Sequence, residues 1–201
     1  QAGLDAAMPG DTVFVDPGVY TETVVLKSGV CLIGSGMNET ILDGQGKGNR
    51  EGCVVVGADN SLIAHMTIRH ADVSSEYTLG AAIDGRNHTM VIRDNWITGC
   101  RVGIALDDTA IVERNVIVDN PPESAGLLIE SDGRPLIRNN TLVNNGSGIR
   151  VRDSAYPRVI NNIFVNNARG VSHFGSETWP MRYNNVFAND CDYHNLHDQT
   201  G

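Results

Sequence analysis

Three carboxylates, Asp84, Asp107 and Glu130, recur along this sequence at one interval, and the next step lands on Arg152. Residues that repeat at a fixed period stack if each period adds one strand, which would set these side chains ~5 Å apart. Like charges at that distance destabilise a fold unless something compensates them. Three compensations are open: the arginines Arg150 and Arg152, a carboxyl pKa raised by its neighbours, or a Ca²⁺ ion taking oxygens from Asp84, Asp107 and Glu130. A carboxyl with a raised pKa is also a general acid, so Asp84, Asp107, Asp108, Glu130, Arg150 and Arg152 form the candidate catalytic set. Asp132 and Asp153 crowd the corner beside Asp108. The same column also reads as a wet acidic face that arginines neutralise, and the sequence leaves both readings open. A second group, Arg69, Arg86 and His88 with His65 and His70, falls in two neighbouring units beside Asp84. Arg69, Arg86 and His88 are the candidate substrate-binding residues, able to supply a base and a charge clamp for an anionic ligand; corner residues of this kind also serve as plain solvent-facing groups.

The elements that must position these residues come from a repeat. Gly80, Gly103, Gly126, Gly148 and Gly170 each open a unit of about 22 residues that carries three short apolar runs, the signature of a solenoid. The expectation is an all-β, three-sheet parallel β-helix of about nine coils, with residues 1–201 as a single domain. Aligning the units on Asn95, Asn115, Asn140 and Asn162 puts Ile97, Ile117, Leu142 and Phe164 in one inward column, with Asn184 or Asn185 as the fifth asparagine. Ala81, Ile104, Leu127, Ile149 and Val171 then form a second inward column, and Ile83, Leu106, Ile129 and Val151 a third. Asparagines stacked at strand spacing can donate to one another and to corner carbonyls, a structural ladder rather than a catalytic array. Outward on the second strand, Arg93, Glu113 and Arg138 alternate in sign, as a solvated face should.

Composition narrows the class. The net charge is −9 and the only lysines are Lys27 and Lys47, a balance that argues against a nucleic-acid phosphate binder. No apolar run is long enough to span a membrane. Cys31, Cys53, Cys100 and Cys191 read as buried thiols; Cys100 and Cys191 fall four coils apart, roughly 19 Å, beyond the reach of a disulfide, and no cysteine or histidine pair has zinc spacing. Gln1–Met8 has the pattern of a short amphipathic helix, with Leu4, Ala7 and Met8 on the side that covers the first coil. Strands are expected over Thr12–Asp16, Thr23–Leu26 and Val30–Ile33, with a corner at Pro17-Gly18 and a polar excursion over Asp43–Gly52. His173 sits inward as a core histidine, whereas His194 and His197 lie in a polar terminal stretch. Beyond Phe187 only Tyr193 and Leu196 offer apolar surface, so the last coil is expected to be covered by further chain or by self-association.

The run from Gln1 to Glu22, with Leu32-Ile-Gly34 and Thr40-Ile-Leu-Asp-Gly44, resembles the entry of the pectate-lyase-like right-handed parallel β-helix superfamily. The resemblance covers nearly the whole chain. It implies three parallel sheets, a polysaccharide as partner in a groove along the first sheet, and a secreted or cell-surface location. It leaves the reaction open, because that superfamily includes lyases, hydrolases, esterases, epimerases, tailspikes and inert repeats. Ala82-Ile-Asp84-Gly85 and Asp107-Asp108 are similar to the aspartate cluster of polygalacturonase-type hydrolases, whose Gly-His-Gly and Arg-Ile-Lys elements have no counterpart here. The Asp-Pro-His type motif of alginate epimerases is also absent, and the arginines that could act as a lyase base are Arg86, Arg150 and Arg152. A non-catalytic stalk or assembly module is the alternative from another class.

Overall fold

A computed structural model describes residues 1–49, 51–72, 79–175 and 178–195. Among the described residues, three parallel sheets of eight strands each wind around one axis. Every connection leads to the next sheet, and the next strand of the same sheet is added one coil later, giving a right-handed parallel β-helix. The first sheet takes the glycine-led strands, from Val24–Val25 through Ala81–Asp84, Val102–Leu106, Ala125–Ile129, Ser147–Asp153 and Arg169–Gly175 to Cys191–His194. The second contains Met90–Arg93 and its partners, and the third Trp96–Thr98 and its partners. The helix has eight turns rather than nine, because two early coils are long: Ile33 pairs with Ala64 and Ala64 with Arg93, while Arg93 already pairs with Glu113. The Asp43–Gly52 excursion accounts for the first of these. Gly18–Tyr20 is a strand of the third sheet, not only a corner.

Two of the three corners are built by one device. A residue with left-handed φ bends the chain, and a buried amide follows it. At the second-to-third corner the bending residues are Asp94, Arg114, Asn139, Asn161 and Tyr183, and the amides Asn95, Asn115, Asn140, Asn162 and Asn184. Left-handed backbone costs roughly 1–2 kcal/mol for an L-residue, so the amides must return at least that much. They do so by satisfying groups that the bend removes from the sheets. Asn140 Nδ2 donates to Val112 O at 2.9 Å, Arg138 O at 3.0 Å and Asn162 Oδ1 at 3.0 Å, while its Oδ1 accepts from the Asn115 backbone N–H and side chain. A second row, Asn120, Asn145, Asn167 and Asn189, repeats the pattern at the third-to-first corner, and Cys100 starts it by donating its N–H to Asn120 Oδ1 at 2.8 Å. The sequence reading missed this row, although its signal was present as asparagines five positions after Asn115, Asn140, Asn162 and Asn184.

Inside these corners the core is stacked aliphatic columns. Ile97, Ile117, Leu142 and Phe164 pair in register and are fully buried. The other two inward columns differ from expectation in one coil: Ile83, not Ala81, stands level with Ile104, Leu127, Ile149 and Val171. Gly80 is not equivalent to the other unit-opening glycines. Ala82 occupies their row, which is small because the coils approach closely there; a Cβ on Gly148 would stand 2.6 Å from Gly170 O, and one on Gly126 2.8 Å from Gly148 O. The helix spans Ala2–Ala6 and seats Leu4 and Ala7 against the first coil, but Met8 is 70% exposed. Lys27 Nζ closes the end of that helix on Asp5 O and Ala7 O. Cys53 and Cys100 are buried and Cys31 and Cys191 only partly so; all four are free. His173 is buried, with Trp179 edge-on to its ring at 6.2 Å. No helix among the described residues is long and apolar enough to cross a membrane. Leu196 and His197 lie outside the described residues.

Asn140→Ala strands three carbonyl acceptors and two donors, and each unpaired buried group costs about 1–3 kcal/mol. A loss above about 3 kcal/mol in urea unfolding is expected; a loss below about 1 kcal/mol would show that the amide row does not hold the coils in register.

Candidate functional site on the first sheet

The two-residue slip at Gly80 takes the acidic column apart. Asp84 pairs with Ala105, and that column continues through Leu128, Arg150, Ser172 and His194. Asp107 follows Leu106 and is level with Glu130, which is level with Arg152 and then Phe174. Asp84 is therefore not stacked on Asp107 and Glu130, and each carboxylate has its own partner. Asp84 holds Arg86 through both oxygens, Nε–Oδ1 at 2.9 Å and Nη2–Oδ2 at 3.0 Å. That hydrogen bonding fixes the Arg86 guanidinium still more firmly in its charged form, against the opposing effect of burial. Asp107 Oδ1 accepts the Asn87 backbone N–H, Asp108 Oδ1 accepts that of Thr109 at 2.6 Å, and Glu130 pairs with Arg152 at 3.1 Å. Among the described residues, no three His, Cys, Asp or Glu side chains are placed to hold a metal ion, so the expected Ca²⁺ set of Asp84, Asp107 and Glu130 is not assembled. Asp107, Asp108 and Asp132 do share an open depression with Asn87, Ser131 and Arg134 at the first-to-second corner.

The expected Arg and His cluster disperses over three corners. Arg69 and His70 hold Asp43 at the third-to-first corner, at 2.8 and 3.1 Å; Arg69 belongs to the third sheet, not to the surroundings of Asp84. His88 faces Asp59 at 3.5 Å at the first-to-second corner, and His65 faces Asp94 at 3.9 Å at the second-to-third. Each is a local carboxylate pair and not a clamp around one ligand. On the second sheet Arg93, Glu113 and Arg138 stand in register as expected, and Arg114 joins them by gripping Asp94 at 2.8 and 2.9 Å. Burial pushes the Glu113 and Asp94 carboxyls up, but hydrogen bonds and charge from Arg138, Arg114 and Arg93 outweigh it and hold both below the ordinary carboxylate range.

The outer face of the first sheet divides in two. Its lower half is a second small core: Ala81, Val102, Ala105, Ala125 and Leu128 are buried with Cys53, and Leu79 packs against them. Asp84 stands in the same column as Ala105 and Leu128 of this patch. The upper half is open and polar. There Arg150 and Ser172 continue the column, Arg169 stands level with Ser147, and His194 ends it beside Phe174. The Phe174 and His194 rings lie 5.7 Å apart, and Phe174 is 47% exposed. Arg169, Phe174 and His194 escaped the sequence reading because they fall in the last coils, where the repeat loses its aliphatic pattern.

Fold and site together define a right-handed parallel β-helix of the pectin-lyase-like kind, with an open polar stretch on its first sheet. The chain belongs to the family described as periplasmic copper-binding protein (NosD), whose profile matches residues 4–199. Among solved structures it is similar to the A-module of the Azotobacter vinelandii mannuronan C-5 epimerase AlgE4, at 22% identity and a TM-score of 0.60, over 95% of this chain and 67% of that one. It is also similar to the Dettilon tailspike protein, at 18% identity and a TM-score of 0.51, over 84% of this chain and 39% of that one. At these identities the likeness is one of fold. No curated protein matches the chain.

Two outcomes test this assignment of partners. Asp84→Asn leaves the part-buried Arg86 without its anion and is expected to cost about 1–3 kcal/mol in denaturant unfolding; an unchanged midpoint would mean that the pair is not structural. Carboxyls held low in the folded state stabilise it fully above their unfolded values, 3.8 for Asp94 and 4.5 for Glu113, and that stability is lost as pH falls through the folded values. Thermal melts between about pH 6 and about pH 2 should therefore show an acid limb that Asp94→Asn makes shallower.

Proposed function

We propose that this chain binds a charged polysaccharide along the open upper half of its first sheet, and that it works outside the cytoplasm. The observation that carries the reading is the Phe174–His194 pair. It sets the exposed Phe174 ring against the half-buried His194 ring on the outer face of a parallel sheet, flanked by Arg152 on the preceding coil. Aromatic faces carry partial negative charge and attract the polarised C–H face of a sugar ring, while nearby polar groups fix its orientation. A sugar chain along the axis meets one new row of outward side chains every ~4.8 Å, so a polymer gains contacts that a single sugar does not. The mannuronan epimerase supports the reading as a protein of like fold whose name gives a uronate polymer as its substrate. The family's periplasmic description supports the location.

Copper, which the family's description names, finds no ready donor set among the described residues. No three His, Cys, Asp or Glu side chains converge, and burial pushes the Cys53 thiol up to about 11 and the Cys100 thiol up to about 12, so both stay protonated. No step of the function is routed through a metal. Nor is a reaction assigned to the corner carboxylates Asp107, Asp108 and Glu130, which are engaged with Asn87, Thr109 and Arg152.

Titration with oligomannuronate, oligogalacturonate and a neutral dextran, read by calorimetry, tests the binding. A uronate oligomer is expected to bind, and Phe174→Ala to weaken it about tenfold, about 1.4 kcal/mol. Absence of binding across the panel would sink the reading and leave a structural stalk. Release of unsaturated or reducing ends on the same panel, abolished by Asp107→Asn, would make the protein an enzyme rather than a binder.

A further inference from the structure

Arg150 lacks the carboxylate partner that six other arginines of the chain have. Arg69, Arg86, Arg93, Arg114, Arg138 and Arg152 each have a carboxylate within 3.1 Å. Among the described residues no carboxylate reaches ion-pair distance of Arg150. Its Nη2 makes two long hydrogen bonds, to Ser124 O and Ser147 Oγ, both at 3.3 Å. Its Nε is shut off from solvent with no hydrogen-bond partner. Nearby charge is of the wrong sign: after burial, Arg152 and Arg169 are what disfavour the charged form. A guanidinium does not lose its proton in a protein, so it cannot escape this cost by neutralising. A shielded charge with an unused donor is destabilising by itself, and an anion at the accessible end of the guanidinium would offset that cost.

Its position suits that role. In its column Ala105 and Leu128 belong to the buried apolar patch, and Arg150 is the first residue beyond it. It lines an open depression with Arg169 and His194, and the rim carries Glu123 and Asp190. Both of those carboxylates are solvent-exposed and not drawn onto Arg150. Ser147 Oγ, which contacts Arg150, also lies 3.3 Å from Ser172 Oγ; both serines are fully buried, so this pair anchors the guanidinium and does not itself line the depression. The parts that line the depression are those that recognise an oxyanion: a guanidinium not taken by a carboxylate, a second arginine, an imidazole and an apolar wall of Pro122 and Ala168.

We propose that Arg150, with Arg169, seats an oxyanion of the bound polysaccharide, a uronate carboxylate or a sulfate ester, with the Phe174 and His194 rings that carry the sugar one and two coils further on. The identity of the ligand rests on the polysaccharide reading above; the anion seat does not.

The test uses the full chain and two variants, Arg150→Met and Arg150→Lys, with sodium sulfate, oligogalacturonate and a neutral dextran as probes, at fixed ionic strength. Without ligand, Arg150→Met is expected to melt at or above the wild-type temperature, because it removes an uncompensated charge. With oligogalacturonate it is expected to bind at least tenfold more weakly than the wild type, and Arg150→Lys to fall between, since an ammonium keeps the charge but loses the fork. Sulfate stabilises proteins generally, so its readout is the shift of the wild type beyond that of Arg150→Met. A melting temperature several degrees lower in Arg150→Met without ligand would show a structural arginine and overturn the proposal. Equal affinity of wild type and Arg150→Met for oligogalacturonate, or binding of dextran as tight as that of the uronate, would overturn it while leaving the polysaccharide reading in place. An excess sulfate shift in the wild type, with no sugar bound on the panel, would support the anion seat and remove the polysaccharide.

Discussion

The structure depends on buried amides being satisfied at its corners. A parallel β-helix must turn sharply between sheets, and each turn takes backbone groups out of strand pairing in a place where water cannot reach them. Here one residue in left-handed conformation makes the bend and the asparagine after it takes up the stranded groups. Asn95 through Asn184 form one row of linked side chains, and Asn120 through Asn189 another. The rows run along the axis, so they also fix the register between coils. Because register decides which outward side chains stand level, the amides inside the helix determine the chemistry of its surface.

That dependence is clearest on the first sheet. All of its strands present the same two outward positions, yet the face changes character between Leu128 and Arg150. Below that line the outward residues are alanine, valine and leucine, and they are buried with Leu79 packed against them. Above it they are arginine, serine and histidine, of which Arg150, Arg169 and His194 line an open depression while Ser172 is buried. The sheet thus carries a buried apolar patch and a polar stretch on a single continuous backbone. The acidic side chains that attract attention in the sequence lie mostly at the edge of this face, where they pair with arginines or turn back onto backbone N–H groups.

The relation to known proteins fits this division. The coil geometry is shared with a mannuronan epimerase and a tailspike at identities near one residue in five, so the backbone solution is general while the outward positions are free to vary. The NosD family to which the chain belongs is defined over almost all of its length, which includes the coils of both the buried patch and the polar stretch. Function on such a scaffold is a matter of which side chains the coils present, not of the scaffold.

Much of the protein was legible in the sequence, because period and alternation are local properties. A unit of about 22 residues with three apolar runs dictates a three-sheet solenoid, and strand alternation separates Ile97, Ile117 and Leu142, which point inward, from Arg93, Glu113 and Arg138, which point outward. Column membership is not local. It depends on every corner length between one strand and the next, and a coil two residues shorter, 21 residues from Asp84 to Ala105 against 23 from Ala105 to Leu128, moves a side chain to another column while keeping it on the same face. For that reason Asp84 left the acidic column, although its outward direction was read correctly. Pairing is less local still: Arg86 turns back to Asp84 and Arg152 reaches Glu130, while Arg150, two residues from Arg152 on the same strand, meets no carboxylate among the described residues. Sequence determined which residues face out; only the packed coils decided which of them remained without a partner.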